Sequence, residues 1–150
     1  MNEYRDIHAS LLRFLQGFAT RETAAGGAVS ALNLDGFASP MDWPEKDFVA
    51  LSEFQMDVEE AFVRPAIAFV ISTRNDKNLF RMEEITNRLL NELLPTKRVE
   101  IVDAVTGAPR GYLNVLNRTR VGSVLHTDTQ PARPIFVTFK SDQTLRLDSR

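Results

Sequence analysis

The chain has 150 residues, a formal net charge of −2 and 43% hydrophobic residues, the size and balance of one globular domain. At this length folding buries roughly 70% of the unfolded surface, so stability needs neither a metal nor a cross-link. There is no cysteine, which excludes thiol catalysis, cysteine zinc sites and disulfide frameworks and fits a reducing compartment.

The first residues, Met-Asn-Glu-Tyr-Arg-Asp, carry mixed charge with no apolar stretch behind them, unlike a signal peptide. Tyr4, Ile7, Leu11, Leu15 and Phe18 recur at steps of three and four, which predicts a helix over 3–16 that ends at Gly17. Residues 19–62 form an irregular segment broken by Gly26, Gly27 and Gly36. Within it, 28–34 suits a short strand. Pro44, Glu45 and Asp47 resemble a helix start and predict a short helix over 45–51, then an extended stretch.

Residues 63–72 are apolar and rich in β-branched and aromatic side chains, the pattern of a buried strand. A polar connection follows, in which Asp76 or Asn78 can cap the next helix. That helix, over 79–94, places Met82, Ile85, Leu89 and Leu93 on one face, widened by Leu90 and Leu94, and Pro95 ends it. The remainder is β-like: strands over 99–105, 111–117 and 119–127, a turn at 106–109, and a loop bracketed by Pro131 and Pro134. A strong strand over 134–139 and a short edge strand over 144–147 complete the chain. This order predicts a single α+β domain. Its sheet is mostly antiparallel or mixed, with the N-terminal helix and the central amphipathic helix packed on it.

Charge is uneven along the chain. Residues 1–96 hold 9 Lys/Arg against 15 Asp/Glu, net −6, and residues 97–150 hold 9 against 5, net +4. Two readings stay open: ordinary solvated faces, or a molecule with an acidic and a basic side suited to packing against copies of itself or other partners. No run approaches the roughly 20 apolar residues of a membrane helix, so a soluble intracellular protein is expected.

No catalytic residue, cofactor motif or metal-ligand set stands out. His8 lies beside the apolar stripe of the first helix. His126 and Asp128 offer two metal ligands where a catalytic metal takes three, so a hydrolase built on them is a distant alternative. Glu59-Glu60 and Glu83-Glu84 are paired carboxylates, but adjacent helical residues point about 100° apart, so Glu83 and Glu84 read as first-turn acids. There is no Gly-x-Ser-x-Gly elbow. Gly107 and Gly111 are not followed by the Lys and Ser/Thr of a phosphate loop.

Arg110, Arg118, Arg120 and Arg133 gather around strands and a loop, with Tyr112 nearby. A nucleic-acid surface would interleave such groups with stacking aromatics. The aromatic part is thin and the chain is acidic, which favours protein contact or solvation. Phe37, Met41 and Trp43 either fold back onto the core or anchor a partner.

The N-terminal helix, the apolar strand introduced by Arg64-Pro65, the helix over 79–94 and the β-rich half closed by Pro134-Ile-Phe-Val-Thr-Phe139 come in an order that resembles the tail terminator (tail completion) proteins of tailed bacteriophages. The resemblance covers most of the chain in pattern, and residues 19–62 are longer and more irregular than it suggests. It implies a non-enzymatic subunit of a ring, usually a hexamer. Such a ring caps the phage tail tube and joins it to the neck or connector, with tube and sheath proteins as partners. It implies a place in the virion at the tail–neck junction, assembly in the host cytoplasm, and no catalytic residues, cofactor or membrane. Other readings are a different neck, head–tail adaptor or baseplate protein, or a small nucleic-acid-binding module using the four arginines.

Overall fold

The computed structural model describes residues 3–37, 42–59, 62–116, 119–127 and 129–141. Met41, Arg118, Asp128, Glu60 and the strand expected over 144–147 lie outside these residues. The fold is α+β. Helix α1 (Glu3–Ala24) precedes strands β1 (Ser30–Asn33), β2 (Phe48–Val58) and β3 (Val63–Ser72). Helix α2 (Phe80–Asn91) precedes β4 (Arg98–Val102), β5 (Pro109–Val115), β6 (Arg120–Val121), β7 (Leu125–His126) and β8 (Pro131–Ser141).

These strands form one curled, mixed sheet in the order β1-β2-β3-β8-β5-β4, with β6 and β7 also paired to β8. β1 joins β2 in parallel; the other pairings are antiparallel. Along β8 the register runs Val115↔Phe139, then Arg120↔Phe136, then Leu125↔Ala132. β5, β6 and β7 thus pair with β8 in succession. They lie end to end along the edge of β8 opposite β3.

The two faces of the sheet differ. One face and the helices bury Ile7, Leu11, Leu15 and Phe18 from α1 and Met82, Ile85 and Leu89 from α2 against Leu51, Phe69, Ile71, Ile135, Val137 and Phe139. Complete burial of each such side chain contributes about 1.5–3 kcal/mol. The opposite face carries a smaller core of Leu34, Phe48, Ala50, Val70 and Ala132, with Leu32, Phe37 and Trp43 packed against it.

Several expectations give way to tertiary contacts. α1 runs through Gly17 to Ala24, because Phe18 and Ala19 extend its buried stripe and one glycine costs a helix only about 1 kcal/mol. The left-handed turn falls instead at Gly26, with φ at 107°. The helix expected over 45–51 is absent: 48–51 belong to β2 and are buried, which a one-sided helix at the surface does not permit. β1 and β3 lie where the sequence placed strands, β3 with the expected bounds. α2 ends at Asn91, four residues before Pro95.

Pro131 and Pro134 do not bracket a loop; both lie within β8. A proline inside a sheet lacks the N–H that a ladder needs. Pro134 is tolerated because Gly122 faces it. The Gly122 N–H donates to the Pro134 carbonyl at 2.8 Å. The Gly122 carbonyl, which Pro134 cannot serve, accepts instead from the Arg133 guanidinium at 3.1 Å.

Gly122 also lies too close to its neighbours for a side chain. A Cβ there would stand 2.8 Å from Pro134 Cγ and 3.1 Å from the Phe136 ring. Gly122→Ala is therefore expected to destabilise the fold by about 1–3 kcal/mol, the range for overpacking. Urea unfolding followed by circular dichroism checks this; an unchanged midpoint would refute the close approach.

Candidate functional site

Most of the ionisable side chains in the interior are engaged in holding elements together. Asp6 of α1 is fully buried and ion-paired with Arg110 of β5 and with Arg5. It also accepts from the Ala104 N–H at 3.0 Å. One turn on, Ser10 accepts from the Val102 N–H at 3.0 Å, where the β4–β5 ladder shifts register. Glu22 near the end of α1 accepts from Arg88 of α2 at 2.8 Å. Asp47, ahead of β2, accepts from the Arg74 N–H and the Arg81 side chain. Adjacent Glu83 and Glu84 pair with different arginines, Arg133 and Arg88, consistent with their divergence on the helix.

Asp76 caps α2. Its two carboxylate oxygens accept from the Arg81 N–H at 3.0 Å and the Met82 N–H at 2.8 Å, and the Thr73 hydroxyl donates to it at 2.9 Å. Burial pushes this carboxyl up, but those three donors and the Arg81 charge outweigh it, and the pKa lies below its ordinary 3.8. The approach to this cap is strained: Asn78 and Leu79 have φ of 58° and 59°, unusual for leucine.

The sequence-selected residues separate into three groups. Arg110 is 10% exposed and turned toward Asp6, and Arg133 is 18% exposed and turned toward Glu83 and Gly122. Phe37 and Trp43 pack on the smaller core, Trp43 edge-on to Phe48 with ring centroids 5.9 Å apart. Arg120 is exposed, on the open edge of β6, with its guanidinium 4.7 Å from the Phe136 ring centroid. His8 packs against Phe54 at 5.1 Å, and His126 is exposed at the end of β7. Among the described residues no group of three or more His, Cys, Asp or Glu side chains could hold a metal.

The face opposite α1 and α2 bears an open groove of about 580 Å³. Ala66 and Ala68 form its floor. Gln55 and Glu53 stand on one side, and Phe136, Thr138 and Arg120 on the other. The hollow lies over these two small side chains, between the larger Gln55 on β2 and Phe136 and Thr138 on β8. No convergent pair of acid and base lines it.

Besides the outer sides of its terminal strands β1 and β4, the sheet leaves two further stretches of edge open, which periodicity alone could not disclose. β1 covers only 48–51 of β2. Among the described residues no strand pairs with the outer side of 53–58, nor with the outer side of β6 and β7. The β2 edge carries exposed Glu53, Asp57, Val58 and Glu59. The β6–β7 edge carries exposed Arg120, Val121, Leu125 and His126. The first carries three carboxylates, of which Glu59 is paired with Arg64 of β3, the second carries the Arg120 guanidinium, and they lie on opposite sides of the sheet.

No family model matches the sequence, and no curated protein matches it. One solved structure, 12% identical in sequence, superposes with a TM-score of 0.59 over 91% of this chain and 93% of its own; at that identity the likeness shows the fold alone. No helix among the described residues is long and apolar enough to cross a membrane.

Two expectations follow from the interior polar groups. Arg110→Met leaves the buried Asp6 carboxylate with only the exposed Arg5 as its cationic partner and should cost about 1–3 kcal/mol; adding Asp6→Asn should recover part of that loss, read by chemical denaturation. A surface role alone would leave stability unchanged. For Asp76 the folded pKa is lowered, so its contribution is complete above pH 3.8 and lost as pH falls through the folded value. Asp76→Ala should cost about 1 kcal/mol at pH 7, as for other helix caps. The gap from the parent should narrow below pH 3.8, and a gap independent of pH would count against the cap's charge.

Proposed function

We propose that this chain is a structural virion subunit of the tail-terminator kind. It works by self-association into a ring that caps a phage tail tube and contacts the neck. The observation that carries the proposal is the pair of open sheet edges, acidic at β2 and basic at β6–β7, on opposite sides of one subunit. Such a surface pairs with itself head to tail rather than face to face, and a head-to-tail contact that closes makes a ring. Opposed charges set orientation and rate of encounter more than affinity. The element order that resembles tail terminators supports the same reading.

The nucleic-acid alternative draws less support. Of its four arginines, Arg110 and Arg133 are held by Asp6 and by Glu83 and Gly122. A phosphate-binding surface needs such groups free on one face.

Light scattering of the purified chain should give a mass several times that of a monomer. Electron microscopy with phage tails present should place the protein at one tail end. A strict monomer that never localises to tail ends would overturn the assembly reading. Retention on DNA that falls steeply with salt would favour the alternative.

A further inference from the structure

Resting on that assembly reading, we infer that neighbouring copies join by backbone pairing, the β2 edge of one subunit taking the β6 edge of the next as an antiparallel strand. The hairpin after β2 closes with the Glu59 N–H on the Phe62 carbonyl. Antiparallel alternation then turns the peptide groups of Met56 and Val58 outward, away from β3. On the other side, the Gly122 N–H donates inward to Pro134, which turns the peptide groups of Val121 outward. Each edge therefore presents donors and acceptors to a partner.

Three independent features of the edges match. β2, β3, β8 and β6 alternate in direction, so a sheet continued from β6 of one copy to β2 of the next is antiparallel there. Val58 lies opposite core residue Val63, and Val121 opposite core residue Ile135, so the outward-turned residues of both edges have side chains on the helix side. Pairing Val121 with Met56 or with Val58 keeps the helices of both copies on one side. Those two registers place Arg120 directly across from Asp57 or from Glu59. Either way the guanidinium meets a carboxylate, in the closely spaced non-hydrogen-bonded position of the ladder, with Cα atoms about 4.5 Å apart.

The stagger also suits closure. With Arg120 against Asp57, successive copies are offset by four residues along the strands, about 13 Å at 3.3 Å per residue. Four strands at about 4.8 Å span about 19 Å. A ring without climb then needs strands tilted by about 35° to its axis, the tilt found in closed sheets.

The chain's lack of cysteine permits a direct test. Full-length Asp57→Cys is mixed with full-length Arg120→Cys and oxidised mildly, and Glu59→Cys with Arg120→Cys is treated alike. A disulfide-linked pair is expected in one of the mixtures and in neither variant alone. The second arm is charge reversal. Asp57→Arg with Glu59→Arg should weaken self-association at least tenfold, and Arg120→Glu on the adjoining edge should restore it. All these positions are exposed, and circular dichroism of each variant verifies the fold. If the parent assembles but neither mixture cross-links and reversal has no effect, edge pairing is overturned while the assembly reading stands. If the parent is monomeric at every concentration and nothing cross-links, edge pairing fails too. The tail-end imaging then decides the assembly reading.

Discussion

The constraint on which the rest depends is the pairing of β8 along both of its edges. On one side it takes β3 in unbroken register from Ala66↔Thr138 to Ser72↔Ala132. On the other it takes β7, β6 and β5 in succession. Remove β8 and the sheet separates into an N-terminal set and a C-terminal set of strands. Its side chains serve both faces: Ile135, Val137 and Phe139 meet the helices, while Ala132 closes the smaller core opposite. Ser141 at its end accepts from the Val63 N–H at 2.8 Å and so fixes the first residue of β3.

Polar side chains complete what the ladder leaves open. Gln130 donates to the Lys46 carbonyl and to Ser72, each at 2.7 Å, and Ser72 in turn donates to the Pro131 carbonyl. The start of β8 is thereby tied to the segment before β2 and to β3 where a proline withholds a backbone donor. Arg133 does the same for Gly122. In these places a side chain substitutes for the main chain, because an unpaired buried polar group costs about 1–3 kcal/mol. The Asp35 carboxylate does a related task at the β2 bulge, accepting from the Glu53 N–H at 3.1 Å, where Glu53 sits at a φ of 55°.

What could be read from the residues follows from how local each signal is. β3 and α2 were legible because an apolar run and a 3.6-residue period are properties of their own segments. β2 was not. Pro44, Glu45 and Asp47 form a convincing helix start, yet Asp47 spends its carboxylate on Arg74 and Arg81 from distant segments. Pro131 and Pro134 read as loop markers because nothing local announces that Gly122 and Arg133 will accommodate them. Arg110 and Arg133 read as surface groups for the same reason: Asp6 lies 104 residues from Arg110, and periodicity carries no information about such pairs. Arg120 was picked out with them and is exposed beside an open edge, but the edge itself arises from which strands fail to meet.

Chain topology decides which charged strand residues take which side of the sheet. The strands before α2 stack on one side of β8 and the strands after it on the other, so exposed Glu53, Asp57 and Glu59 and exposed Arg120 take opposite sides of one sheet. A sheet whose neighbours followed sequence order and closed on itself would have no such sides. Here the last described strand enters the middle, and besides the outer sides of β1 and β4 it leaves open stretches of edge at β2 and at β6–β7. Because β6 and β7 are each only two residues long, their pairing with β8 is what gives that edge a defined line. The same insertion that completes the core therefore also sets the line of the β6–β7 edge.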